Sequence, residues 1–310
     1  MIIIYSFLVF FITYISIKFS LPFLKINFLD EPNKRSLHVK PTPKGGGIFF
    51  SISSGLFLLF LNNPLGLFCL PISVVGLIDD KYNISRKFRY LSQLLSVLIL
   101  FILSNGFFKS LYINNNNYQL LLLSFILILG TSIINFTNFM DGIDGLVAGC
   151  MIVWFLTISI SENQSYLIIV SSLIGFIIWN WSPAKLFMGD AGSTFLGLIV
   201  VGAIFNLESI LKIINSLLIL TPIFFDSISC IFLRLSKKQN IFKPHKLHLY
   251  QRLFRGGFSK SKVSIIYISN TIILSLGYLS KSQNILYTLC LLTVIFGIVL
   301  DRRKAYTFEN

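Results

Sequence analysis

Acidic side chains are scarce in this 310-residue chain, with 12 Asp and Glu against 26 Lys and Arg, and charged residues of every kind make up only 12%. A soluble domain draws about a quarter of its residues from the charged set. That shortage, beside 55% hydrophobic residues and a mean hydropathy of +0.79, excludes a water-facing globular surface and describes a multi-span membrane protein. Cys69, Cys150, Cys230 and Cys290 all lie in apolar segments without C-x-x-C spacing, which excludes a disulfide scaffold and reads them as small core residues. The only histidines are His38, His245 and His248, and no motif completes a zinc site. No Gly-Lys-Ser/Thr ends a P-loop, and Gly45-Gly46-Gly47 is not a dinucleotide fingerprint, so both soluble nucleotide-binding readings fail.

What the chain has instead is apolar runs near 2–24, 46–63, 64–78, 91–108, 118–136, 143–160, 165–182, 194–207, 215–233, 263–280 and 284–300, with 64–78 and 194–207 short. At about 20 residues per span these use roughly 220 residues and leave roughly 90 for connections, too few for a soluble domain. The expected fold is an all-α, polytopic membrane bundle of 10 to 11 transmembrane helices, a single unit over 1–310 whose largest cytoplasmic loop is 234–262. Residues 1–17 carry no basic n-region and no small-residue cleavage site, so the first run is read as a retained span. The tract Asn114–Asn117 reads as a solvated turn.

The net charge of +14 would suit nucleic acid, but position decides against it. With the N-terminus outside, 22 of the 26 basic residues fall in cytoplasmic segments: five between Lys25 and Lys44, four between Lys81 and Arg89, Lys185, nine between Arg234 and Lys262, and three in the tail. The external loops keep Lys109, Lys212 and Lys281, and Lys18 lies within the first run. The positive-inside rule therefore fixes the orientation, and no nucleic-acid partner is expected.

Six of the twelve acids, Asp79, Asp80, Asp141, Asp144, Asp190 and Asp226, sit inside or at the ends of apolar stretches. An aspartate at a membrane-helix centre costs about 2.5–3.5 kcal/mol, so such acids normally hold a cation, a proton or a polar substrate. In the orientation above, all but Asp226 gather on the cytoplasmic side. Asp79-Asp80 closes an apolar helix; keeping both carboxylates ionised there calls for a cation, or else one becomes a proton acceptor, although a helix end with interface charges is the plainer reading. Asn135, Asn138, Asp141 and Asp144 follow at a spacing of three, which drifts about 60° per step on a helix, so Gly142 and Gly145 suggest a turn that gathers the four side chains instead. An EF-hand does not fit this spacing. Asp190, in Met-Gly-Asp-Ala-Gly-Ser, is either an N-cap or a carboxylate that lets a metal-bound phosphate approach backbone amides. The Pro244–Arg252 loop, with His245, His248 and Arg252, favours phosphate, against a plain basic membrane-surface patch.

Together these segments resemble the polyprenyl-phosphate N-acetylhexosamine-1-phosphate transferase family, bacterial membrane enzymes that load a sugar phosphate onto a lipid carrier. The likeness runs from Asp30 to Phe258 and takes in Asp30–His38, Pro41–Gly47 with Lys44, the acid pair, the Asn/Asp series, the Asp190 segment and the His248 loop, all in family order. The resemblance implies a Mg²⁺-dependent transfer, with Mn²⁺ as an alternative ion, from a UDP-N-acetyl sugar to undecaprenyl phosphate, giving UMP, in the bacterial inner membrane and with homodimerisation allowed. It implies Asp190 as metal ligand, Asp79 as base for the lipid phosphate with Asp80 beside it, and Asp80, Asp190 and His248 among the catalytic groups. Lys44, Asn135, Asn138, Asp141 and Asp144 would bind substrate, with His248 and Arg252 near the diphosphate. Many relatives carry an acid three positions after the second aspartate of the pair, where this chain has Asn83. Only His248 stands where the peptidoglycan translocase branch has three consecutive histidines, which points to the branch that starts O-antigen, lipopolysaccharide or related surface glycans. The competing readings are a nucleotide-sugar or ion-coupled transporter, for which Asp226 is the one good midplane acid, and a non-enzymatic scaffold, which leaves the acids unexplained.

Overall fold

The computed structural model describes the chain apart from residues 33–36, 115, 242, 244 and 309–310, together with the side chain of residue 116. Lys34, Arg35, Asn115 and Pro244 of the motifs above lie outside the described residues. Fourteen α-helices are described: α1 (Ile2–Asn27), α2 (Gly47–Phe60), α3 (Leu65–Tyr82), α4 (Arg86–Leu103), α5 (Phe107–Asn114), α6 (Gln119–Phe139), α7 (Leu146–Ser161), α8 (Leu167–Asn180), α9 (Gly189–Phe205), α10 (Ile210–Leu218), α11 (Thr221–Ser236), α12 (Leu249–Arg255), α13 (Lys260–Leu279) and α14 (Gln283–Lys304). The only strands described, β1 (Leu29–Asp30) and β2 (Thr42–Pro43), pair antiparallel, with Leu29 opposite Pro43.

Every apolar run coincides with a helix, but the helices are unequal. Among the described residues four, α1, α6, α13 and α14, are long and apolar enough to cross a membrane, or six if α4–α5 and α10–α11, each bent by 81°, count as single spans. Helix length thus accounts for four to six of the expected 10 to 11 spans. The shorter apolar helices lie deeper in the bundle, and α9 is the extreme case, with every residue from Ala191 to Phe205 buried. It is surrounded by α2, α3, α4 and α6, so its neighbours are helices rather than lipid, which removes the need for a full-length apolar stretch. The run at 215–233 is broken between Leu218 and Thr221 rather than continuous. Exposed Phe7, Phe19, Phe60, Leu120, Phe232 and Leu276 cover the outer helix faces, where a water-soluble protein would put polar groups.

Local chemistry fixes the helix ends that matter for the site. Asn83 closes α3 in the left-handed conformation at φ 50°, a C-cap geometry that asparagine tolerates better than most residues other than glycine. Two residues on, the Ser85 hydroxyl accepts the Phe88 N–H at 3.3 Å and starts α4, and Ser259 caps α13 in the same way through the Lys262 N–H at 3.2 Å. The C-terminal end of α3 lies directly on the start of α9: a Cβ at Gly76 would come within 2.5 Å of the Asp190 carbonyl, so only glycine permits this approach. At the opposite end of the bundle Lys212 joins Glu162 at 3.0 Å.

Candidate active site

Four helix ends and one turn converge. Asp79 and Asp80 end α3, Arg89 stands one turn into α4, Asn138 ends α6, Asp141 and Asp144 lie in the turn after it, and Asp190 opens α9. Arg89 Nη1 donates to Asp79 Oδ2 at 2.6 Å and to Asp190 Oδ2 at 3.0 Å. Asn138 Nδ2 donates to the other oxygen of Asp190 at 2.8 Å and to Ser193 Oγ at 2.9 Å. Asp190 is therefore held from both sides by a cation and an amide. Asp80 does something different: its two oxygens accept the backbone N–H groups of Asp190 and Ala191 at 3.1 and 3.2 Å, so a side chain of α3 caps α9. Gly189 makes room for it, with φ at +72° and a would-be Cβ 2.3 Å from Asp80 Oδ2.

The turn gathers the Asn/Asp series only in part. Asn138, Asp141 and Asp144 reach one cavity of about 310 Å³, which is also lined by Lys44, Asp80, Asp190, Gln251 and Lys260. Asp144 is buried, with Oδ1 receiving Lys260 Nζ at 2.9 Å and Oδ2 the Ala184 N–H at 3.2 Å. Asp141 sits among Asp190, Asp80 and Asp144; burial and then these like charges push its carboxyl well above the usual carboxylate range, against the opposing pull of the Gly189 N–H. Asn135 turns elsewhere. It exchanges two amide hydrogen bonds with Gln93, at 3.0 and 3.2 Å, on the wall of a second cavity of about 540 Å³.

That second cavity is basic and largely apolar in its walls, with Arg86, Arg89, Arg234, Lys243, His245 and His248 around Phe139 and Ile231. The two cavities meet at a recess lined by Asp79, Arg89, Gln93, Asn138 and Asp190. Because Arg89 also lines the second cavity and Asp190 the first, the Arg89–Asp190 ion pair spans the junction between them.

His248 caps α12 on the wall of the second cavity, positioned by Asp226. The Asp226 carboxylate, 1% exposed, receives the Leu249 N–H at 2.7 Å, the Tyr250 N–H at 3.0 Å and the Tyr267 hydroxyl at 2.6 Å, and its Oδ1 lies 3.3 Å from His248 Nδ1. The midplane acid of the transporter reading is thus consumed in holding the His248 helix. Arg252 departs from the expectation that it lies near a diphosphate: it lines neither cavity, is 4% exposed, and spends its guanidinium on Asp301, the Leu247 carbonyl at 3.1 Å and the Tyr306 carbonyl at 3.0 Å. Its position one turn after the His248 cap points it at the C-terminal tail, which no local motif announces.

Sequence reasoning assigned no role to Arg89, Gln93, Gln251 or Lys260. For two of these a signal existed, since Ser85 and Ser259 are serine caps that place Arg89 and Lys260 in or near the first turns of their helices. Lys44 is brought to the first cavity by the hairpin, where its N–H binds the Phe28 carbonyl at 2.9 Å and the neighbouring Gly46 N–H the Phe187 carbonyl at 3.0 Å.

The description glycosyl transferase family 4 matches residues 64–208, the segment that holds Asp79, Asp80, Arg89, the Asn/Asp series and Asp190. A probable undecaprenyl-phosphate N-acetylglucosaminyl 1-phosphate transferase of Bacillus subtilis (strain 168) is 29% identical over 92% of this chain and 88% of its own length. An undecaprenyl-phosphate alpha-N-acetylglucosaminyl 1-phosphate transferase of Thermotoga maritima is 28% identical over 90% and 91%. A decaprenyl-phosphate N-acetylglucosaminephosphotransferase of Mycobacterium leprae is 25% identical over 76% and 72%. Along most of its length the chain is similar to polyprenyl-phosphate N-acetylhexosamine-1-phosphate transferases. The matched segment supplies the junction and most of the first cavity, while Lys44, Gln251, Lys260 and the His248 wall come from outside it.

Proposed function

We propose that this protein transfers an N-acetylhexosamine-1-phosphate group from a UDP-N-acetyl sugar to undecaprenyl phosphate and releases UMP. The names of its relatives support the reaction class, and the observation that carries it is the pair of cavities joined at Arg89 and Asp190. The first cavity, with Lys44 and Lys260 beside the acids, suits a nucleotide diphosphate; the second, basic and apolar together, suits a phosphate on an isoprenoid chain. In the net reaction an oxygen of the lipid phosphate bonds to the sugar-bearing phosphorus, and the bond from that phosphorus to the bridging oxygen breaks, so the electron pair leaves with UMP. The Arg89 guanidinium, at the junction, is placed to balance charge on the phosphoryl group in transfer. Asp79, already bound to Arg89, orients that guanidinium; a phosphate monoester with a second pKa of about 6 needs little help to be ionised.

The donor set fits magnesium. Five carboxylates, Asp30, Asp80, Asp141, Asp144 and Asp190, line one cavity, where oxygen ligands outnumber the single imidazole of His38, and the burial and like charges that raise the Asp141 carboxyl are what a divalent cation would offset. Asp190 and Asp141 would hold the ion, which supplies charge neutralisation at the diphosphate when bound. Manganese shares this preference for oxygen ligands. The clustering of basic residues at the site end favours a site on the cytoplasmic face of the bacterial inner membrane, and the single histidine at 248 favours a surface-glycan pathway such as O-antigen or lipopolysaccharide.

Incubation of the purified protein with undecaprenyl phosphate, Mg²⁺ and a panel of UDP-sugars, with UMP release as the readout, tests the reaction. UMP release that requires both substrates, and that falls by roughly 10²–10³ or more in Asp190→Asn, is the expected result. UMP release without the lipid phosphate, or undiminished in Asp190→Asn, would overturn it.

A further inference from the structure

His245 and His248, on the wall of the second cavity, belong with the buried Cys230 behind them to a group of side chains that the transfer reaction does not use as a set. Cys230 on α11, His245 in the following loop and His248 at the α12 cap place one sulfur and two ring nitrogens all within 4.8 Å of one another. A point between them then lies no more than about 2.8 Å from each, about 0.5 Å beyond a zinc–sulfur bond of roughly 2.3 Å and about 0.8 Å beyond a zinc–nitrogen bond of roughly 2.0 Å. Small side-chain rotations close that gap. No local spacing signals this set, because Cys230 and His245 lie 15 positions apart and the fold alone unites them.

We propose that Cys230, His245 and His248 form a binding site for a thiophilic transition-metal dication of the zinc type, separate from the carboxylate cavity. The supporting shell is already built. Asp226 Oδ1 lies 3.3 Å from His248 Nδ1, the carboxylate–histidine arrangement that fixes a ring and leaves its other nitrogen for a metal. Arg234 donates to the carbonyls of Asn240 and, at 2.9 Å, Lys243, which ties the loop carrying His245 back onto α11. The Leu247 N–H reaches His245 Nδ1 at 3.3 Å; metal binding at Nε2 moves the ring proton to Nδ1 and gives up this one contact. On binding, the Cys230 thiol loses its proton to solvent, and the thiolate together with the Asp226 carboxylate balances the two charges of the ion. Thiolate and imidazole select against Mg²⁺, which keeps the two metals apart in one protein. The ion occupies His248 on the wall of the basic cavity, so its presence closes that wall to a phosphate.

The full-length protein in detergent, with excess Mg²⁺, is titrated with cobalt(II) and followed by absorption. One equivalent with a thiolate-to-cobalt charge-transfer band is expected for the natural chain. The band disappears in Cys230→Ala, the affinity falls roughly tenfold or more in His245→Ala, and both are unchanged in Asp190→Asn. His245 is only half-buried and its loss leaves the core intact, so it serves as the check against misfolding. A natural chain with no band, a band that persists in Cys230→Ala, or a band lost in Asp190→Asn would each overturn the site; none of these outcomes bears on UMP release, so the transfer reaction is judged separately.

Discussion

The Asp80 carboxylate accepts the backbone N–H of Asp190 at 3.1 Å, so one member of the acid pair on α3 builds the helix end from which another site acid projects. With the Ala191 N–H at 3.2 Å, this makes Asp80 a helix cap supplied from a neighbouring helix. Loss of a cap costs about 0.5–2 kcal/mol, and here it also releases Asp190. Asp80→Ala should lower the thermal unfolding temperature in detergent and reduce UMP release more than tenfold, whereas Asp80→Asn, which keeps one acceptor oxygen, should lose less stability. An Asp80→Ala protein that unfolds at the natural temperature would remove the capping role.

Arg252 and Asp301 lead to a contrasting expectation. With its guanidinium spent on Asp301 and on the Leu247 and Tyr306 carbonyls, Arg252 fastens α12 to the C-terminal tail. Arg252→Ala leaves Asp301 and two carbonyls short of a donor, a loss of about 1–3 kcal/mol. Thermal unfolding should shift down while the affinity for UDP-sugar, measured by titration calorimetry, stays within a few-fold. A tenfold or larger loss of affinity at unchanged stability would return Arg252 to the substrate site.

Orientation is checked independently of chemistry. Lys238, an exposed residue just beyond α11, is among the basic residues assigned to the cytoplasm, and three of the four natural cysteines are buried. A Lys238→Cys protein should react with a membrane-impermeant maleimide only in inverted vesicles or broken cells. Labelling from the outside of intact cells would invert the bundle and with it the cytoplasmic site.

The sequence pattern made the helical membrane class and the acid cluster legible because burial of charge is costly enough to leave a mark: Asp79, Asp141, Asp144 and Asp190 stand out against apolar neighbours. It made the division of labour among them illegible. Asp79 and Asp80 are adjacent letters, yet they point to different partners, one to Arg89 and one to the α9 backbone, and only the approach of α3 to α9 at Gly76 decides which. Asn135 shares the three-residue spacing of its neighbours but remains on the helix, where its rotation turns it to Gln93. Asp226 looked like a free midplane acid because its partners, Leu249, Tyr250 and Tyr267, lie 23 to 41 positions away.

Asp141 predicts a pH dependence. Its carboxyl titrates well above the unfolded value of about 3.9, so the folded state binds its proton more tightly than the unfolded chain does. That contribution is favourable at low pH relative to high pH: stability falls as pH rises from about 4 toward the raised value and the acid is forced to ionise among its like charges. In the presence of a chelator, Asp141→Asn should therefore unfold at a higher temperature than the natural protein at pH 7, with the difference vanishing near pH 4. Added Mg²⁺ should raise the unfolding temperature of the natural protein more than that of the variant. A variant less stable than the natural protein at pH 7 in chelator would contradict the crowding of charge at this turn.

The two cavities predict that Asp79 and Asp144 fail in different ways. Asp79 stands in the recess with Arg89 and away from the first cavity, whereas Asp144 lines that cavity and pairs with Lys260 at 2.9 Å. Asp79→Asn keeps the shape but loses the charge that fixes Arg89, so turnover should fall by about 10²-fold while UDP-sugar affinity stays within a few-fold, the pattern of an interaction made chiefly in the transition state. Asp144→Ala releases the Lys260 ammonium and the Ala184 N–H together, so it should weaken UDP-sugar binding itself by tenfold or more. A Lys260→Ala, Asp144→Ala double variant should then be little worse than either single one, because both act through the same pair. Calorimetric titration of UDP-sugar against the four proteins, paired with initial rates of UMP release, reads both quantities. If Asp79→Asn lost nucleotide binding while Asp144→Ala bound normally, the assignment of the cavities to the two substrates would have to be exchanged.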